Sequence, residues 1–105
     1  MSEIKLTIEE LFVILKQRAT TPGKNSYTAD LVKGGVEKIT RKVGEEALEV
    51  VIAAFLNDKN RNQKTREDLV GEVCDLFYHT LVLLVSQNIE LDEILSELTK
   101  RNNRK

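Results

Sequence analysis

Glu45, Glu46 and Glu49 stand in an otherwise apolar run, KVGEEALEVV (residues 42–51), and Glu72 and Asp75 stand in a second, GEVCDLFYHTLVLL (71–84). A carboxylate beside a core is costly to desolvate unless something pairs with it. At about 100° per residue of helix, Glu46 falls about 60° from the centre of an apolar row through Val43, Ala47, Val50 and Ala54. Glu49 follows about 60° further round, with Glu45 just beyond it. Glu72, Asp75 and His79 fall within about 60° of one another, with Asp68 one turn earlier. If the two helices pack antiparallel, Glu46 and Glu49 face Glu72 and Asp75. Four facing carboxylates repel one another and resist desolvation. A hard divalent cation resolves both problems. Magnesium takes oxygen ligands in octahedral geometry, keeps some waters and commonly brings a phosphate with it.

Other readings compete with this one. A single Glu-x-x-Glu on a helix is ordinarily a solvated face, and a non-catalytic helical interaction module would carry such faces too. Lys38, Arg41 and Lys42 precede the glutamates at helical spacing. They serve either as i, i+4 partners of Glu45 and Glu46 or as phosphate contacts, and spacing alone does not separate the two. His79 reads as a histidine hydrogen-bonded inside a bundle in preference to a metal ligand. Cys74 lies off the acidic stripe and reads as packing. A di-iron site of the ferritin type wants Glu-x-x-His on two helices. The chain has one histidine, four residues after Asp75, so that reading is set aside.

The elements that must position these groups are helices. Thr7 to about Ala19 carries Ile8, Leu11, Phe12, Ile14 and Leu15 at helical spacing, with Thr7 and Glu10 as a capping box. TTPGKN (20–25) breaks the chain, and SYTADLVK (26–33) offers a short helical turn before Gly34 and Gly35. A long helix is expected from about Val36 to Leu56, a solvated loop over 57–67, a helix from about Arg66 to Gln87, and a last helix from about Leu91 to Lys100 with a frayed tail. The helix from Arg66 is apolar on most sides, so it should be buried within a bundle. One chain has few helices with which to cover it, so the expected fold is an all-α bundle of about four to five helices completed by homodimerisation.

The 105 residues suit one domain, residues 1–105, with 41% hydrophobic and 31% charged residues and a net charge of −1. That balance gives no general attraction to nucleic acid or to an anionic membrane. The single cysteine excludes an internal disulfide. No signal-peptide pattern opens the chain. Purely apolar runs such as Leu81–Val85 are far short of the ~18 to 20 residues of a membrane span. A cytoplasmic location is expected.

SYTADL (26–31), GGVEKITRKVGEEALEVVIAA (34–54), GEVCDLFYHTLVLL (71–84) and IELDEILSEL (89–98) resemble the phosphoribosyl-ATP pyrophosphatase family, within the all-α nucleoside-triphosphate pyrophosphatases. The resemblance implies a magnesium-dependent, dimeric, all-helical enzyme of the second step of histidine biosynthesis. It splits phosphoribosyl-ATP with water into phosphoribosyl-AMP and pyrophosphate. By motif, Glu46, Glu49, Glu72 and Asp75 match the magnesium positions, and Lys38 and Lys42 match basic positions that meet phosphate. Glu45 matches the first glutamate of the doublet, and Glu45 or Glu49 would orient or deprotonate the attacking water. Tyr78 and His79 match a Tyr-His pair without an assigned role. Many family members are fused to the cyclohydrolase that uses their product. The stand-alone form is expected here, with a separate cyclohydrolase as a candidate partner. A house-cleaning nucleotide pyrophosphatase of the same superfamily is the alternative.

Overall fold

The computed structural model describes residues 4–21 and 26–104, and among them every regular element is a helix. There are five: α1 (Ile8–Thr20), α2 (Tyr27–Gly34), α3 (Val36–Asn60), α4 (Gln63–Ser86) and α5 (Leu91–Asn103). The all-α expectation holds. The expected break at 20–25 falls largely on residues 22–25, outside the described ones.

Local chemistry explains most boundaries. The Thr7 hydroxyl accepts from the Glu10 amide at 3.0 Å, and the Glu10 carboxylate accepts from the Thr7 amide at 2.8 Å, the reciprocal box expected for α1. Ser26 caps α2 by accepting from the Ala29 amide at 3.1 Å. Gly35 both ends α2 and precedes α3 at φ +90°, a conformation that side-chain-bearing residues rarely adopt. Glu93 supports the start of α5 through the Glu90 amide, and Lys16 of α1 reaches Glu90 at 2.9 Å.

The expected loop over 57–67 shrinks to a two-residue turn, Arg61 and Asn62. The segment is polar, but its polar groups are helix signals. Asn62 accepts from the Thr65 amide at 2.9 Å, and the Thr65 hydroxyl donates to the Asn57 side chain across the turn at 2.9 Å. Lys64 pairs with Asp68 at 3.1 Å in the first turn of α4. The tail is likewise more ordered than expected: α5 continues through Arg101 and Asn102 to Asn103.

The core gathers Phe12 and Leu15 of α1, Leu31 of α2, Ile39 of α3, Leu81 and Val82 of α4, and Leu91 of α5. It fills one end of the α3–α4 hairpin, whose two helices share the most extensive contact in the chain. At the other end apolar side chains stay uncovered: Leu48, Val51, Ile52, Phe55 and Leu56 on α3 and Val70 on α4, with Phe55 74% exposed. Contrary to the expected burial of the third long helix, α4 also leaves Phe77 exposed. Cys74 is exposed, not packed. By length and composition α4 would also suffice to cross a bilayer. It carries Glu72, Asp75 and His79.

Candidate active site

The α3–α4 hairpin brings the acidic stripes together. The buried row of α3 is Ile39, Glu46 and Ala53, so Glu46 lies on the packing axis and not about 60° to its side, while Ala54 is exposed. Oxygens of Glu46, Glu72 and Asp75 all lie within 4.8 Å of one another. Glu46 is only 6% exposed. One oxygen of Glu46 and one of Glu72, Oε1 in each, are buried without a hydrogen-bond partner among the described residues. Glu49 joins through Glu72. The neighbouring Glu49 carboxyl first, then burial, then the charges of Asp75 and Glu46 hold the Glu72 carboxyl above its ordinary range. Like charges gathered this closely oppose the ionisation of Glu72.

Two orphaned buried oxygens within an all-oxygen donor set are what a hard divalent cation satisfies. A neutral or solvated arrangement would leave fewer lone pairs stranded. Along the hairpin the cluster opens into a cleft of about 340 Å³ lined by Glu49, Ile52, Ala53, Leu56, Thr65, Asp68 and Glu72. It offers apolar walls beside the carboxylates.

Lys42 sits next to the cluster, 3.4 Å from Glu45 and 3.4 Å from Glu46. Both contacts exceed the usual 2.7–2.9 Å of a tight charge-assisted bond, so the ammonium is shared loosely. Its pKa is raised, first by Glu45, with Tyr27 and Glu46 adding. Glu45 itself points to Lys42 and stands beside the converging trio, not in it. Lys38 is not brought to the cluster among the described contacts. Its stem lies over Gly34, where an added Cβ would meet Lys38 Cδ at 2.6 Å.

Two residues that carried no role in the sequence prove central to the geometry. The Tyr27 hydroxyl lies 2.8 Å from His79 Nε2, and His79 Nδ1 lies 2.7 Å from the Asp75 carbonyl oxygen. A carbonyl only accepts, so Nδ1 carries the hydrogen and Nε2 accepts from Tyr27. His79 is therefore a buried imidazole held at both ring nitrogens. One residue away, Thr28 bonds the Tyr78 hydroxyl. The rings of Tyr27 and Tyr78 stack with centroids 5.9 Å apart, and both meet His79 edge-on. Burial raises the Tyr27 phenol, while nearby Lys42 lowers it and Tyr78, Glu46 and Asp75 raise it. The available signal was a Tyr-Thr pair directly after a helix-capping serine.

The profile of the family described as phosphoribosyl-ATP pyrophosphohydrolase matches residues 8–102. The chain belongs to that family. Among its curated relatives, the phosphoribosyl-ATP pyrophosphatase of Clostridium acetobutylicum is 45% identical over 95 residues, spanning 90% of this chain and 80% of the relative. That of Lactiplantibacillus plantarum is 47% identical over 94 residues, 90% of this chain and 82% of the relative. That of Listeria monocytogenes is 49% identical over 94 residues, 90% of this chain and 84% of the relative. The family match spans α1 to α5, so the acidic hairpin and the Tyr27–His79 contact both lie inside it. The resemblance carried by the sequence words thus holds.

Proposed function

We propose that the chain hydrolyses the α–β phosphoanhydride of phosphoribosyl-ATP, releasing phosphoribosyl-AMP and pyrophosphate, as the second step of histidine biosynthesis. The observation that carries this reading is the convergence of Glu46, Glu72 and Asp75 with two unpartnered buried oxygens, in a member of this family. Glu46, Glu49, Glu72 and Asp75 would hold magnesium. Bound there, the ion would neutralise phosphate charge and polarise the anhydride. Lys42, loosely held by two glutamates, turns to the triphosphate and stabilises charge on the leaving pyrophosphate. Lys38, one turn earlier, serves the same charge further out. Glu45 or Glu49 accepts the proton of the attacking water, both being exposed carboxylates at the rim. His79 and Tyr78 hold the start of α2 against α4 and touch no reacting atom.

The enzyme works as a single-domain cytoplasmic homodimer in this reading. The uncovered stripe of Leu48, Val51, Ile52, Phe55 and Leu56 supports a second copy, because monomers rarely leave so large a contiguous apolar face in water. A separate cyclohydrolase would receive the product. The test is pyrophosphate release from phosphoribosyl-ATP by purified protein, with magnesium or with chelator, beside a panel of nucleoside triphosphates. Equal or faster turnover of ordinary nucleotides would transfer the assignment to a house-cleaning pyrophosphatase. Near-normal turnover by both Glu49→Gln and Asp75→Asn at limiting magnesium would remove the site. A clean monomer in sedimentation at micromolar concentration would remove the dimer.

A further inference from the structure

The carboxylates and Lys42 account for the triphosphate end of such a substrate, and leave its other end without a site. A second cavity, of about 360 Å³, borders Tyr27 and is lined by Arg18, Ser26, Tyr27, Thr28 and Tyr78. Tyr27 is the shared wall: its phenol reaches His79, whose other ring nitrogen bonds the carbonyl of Asp75, a member of the acidic cluster. The cavity is therefore next door to the acidic cluster, and its charge is of opposite sign. Among the described residues Arg18 is its one charged lining residue, and no described carboxylate pairs with Arg18. The same arginine lines the adjoining depression with Gln17, Thr21 and Ser26. The tyrosine pair that forms the wall is held from behind, Tyr27 by His79 and Tyr78 by Thr28. Whichever hydroxyl donates between Thr28 and Tyr78, the pair uses one of its two hydroxyl hydrogens, so a second donor remains.

We infer that this cavity receives the phosphoribosyl end of the substrate, with Arg18 on its terminal phosphate, and that Arg18 makes the enzyme prefer phosphoribosyl-ATP over ordinary nucleoside triphosphates. The inference rests on the function proposed above. A guanidinium matches a terminal phosphate by two parallel N–H donors, which an ammonium does not. ATP carries the same triphosphate but lacks the group that would meet Arg18. Discrimination then comes from one contact that only the longer substrate makes, so it should appear as tighter binding of that substrate alone.

The experiment compares Arg18→Met and Arg18→Lys with the natural protein. Two constants are measured: KM for phosphoribosyl-ATP, and the inhibition constant of ATP against the same reaction. Arg18 is exposed, so both variants should melt with the natural protein. For Arg18→Met, KM should rise about ten- to hundredfold, the worth of one charged hydrogen-bonded contact, with ATP inhibition unchanged within about twofold. Arg18→Lys should fall between. Equal weakening toward both ligands would mean a general charge effect and would overturn the inference, as would no change toward either. If the natural protein does not hydrolyse phosphoribosyl-ATP at all, the function falls first and this site falls with it. That outcome is visible before any variant is assayed.

Discussion

Replacing Glu46 by glutamine keeps the shape of the most buried acidic side chain and removes its charge. Glu46 sits within 4.8 Å of both Glu72 and Asp75, and 3.4 Å from Lys42. A pair of unit charges at the first distance repels by about 3.5 kcal/mol at an effective dielectric of about 20, and by about 0.9 kcal/mol in bulk water. The single attraction to Lys42 is worth about 5 or about 1.2 kcal/mol in the same two limits. Two repulsions outweigh one attraction in either limit, so the metal-free variant should be more stable by about 0.5 to 2 kcal/mol. Both repulsions are present only where Glu72 is ionised, so the comparison belongs well above the ordinary carboxylate range, at about pH 8. Lys42 keeps Glu45 as a partner, so no cation is stranded. The melting temperature should rise by about 2 to 15 °C in chelator. Added magnesium with pyrophosphate should reverse the order. The natural protein gains about 2.7 kcal/mol at a hundredfold excess over the dissociation constant, and the variant, short of one ligand, gains far less. Circular-dichroism melts with chelator and with both ligands read the crossover. A Glu46→Gln protein that melts lower in chelator and gains as much from the ligands would refute both the repulsion and the site.

The raised pKa of Glu72 means that the native state keeps a proton where the unfolded chain has lost it. Metal-free stability should therefore fall as pH rises from the ordinary carboxylate value through the raised one, and Glu72→Gln should flatten that fall in urea titrations between about pH 4 and 8. Lys42→Met should lower kcat/KM by about one to three orders of magnitude while moving stability by a few tenths of a kcal/mol. An unchanged kcat/KM would return Lys42 to salt bridging alone. Tyr27→Phe strands the buried Nε2 of His79 and should cost about 1 to 3 kcal/mol in urea unfolding, and a loss near zero would show that the hydrogen bond at 2.8 Å contributes nothing.

The carboxylate cluster was legible because its members are helical neighbours. Glu46 with Glu49, and Glu72 with Asp75, need only a three-residue spacing and a facing helix. The centre of the α3 face was misplaced for a physical reason. An apolar count averages every apolar direction, and α3 has two: one toward α4, and one through Leu48, Val51, Ile52 and Phe55 that no described element covers. The mean of the two pulled the axis off Ile39, Glu46 and Ala53. The 57–67 stretch misled because loop and helix cap draw on the same polar residues. Asn62 and Thr65 differ from a solvated loop only in their three-residue spacing. The Tyr27–His79 contact joins residues 52 apart, which no periodicity encodes. Glu45 and Lys38 share a stripe with Glu46 and Glu49 on a helical wheel. The side chains of both turn elsewhere, Glu45 to Lys42 and Lys38 to Gly34.

The two-residue turn between α3 and α4 also bears on the order of events in folding. Short closures cost the least chain entropy, and contacts between neighbouring helices form fastest. The hairpin around Arg61 and Asn62 should condense early, which brings Glu46, Glu72 and Asp75 together before α1, α2 and α5 have docked on it. Like-charge repulsion then sits in the transition state as well as in the native state. A cation that relieves it should quicken refolding as well as slow unfolding, and stopped-flow refolding with and without magnesium would show the gain in the folding limb.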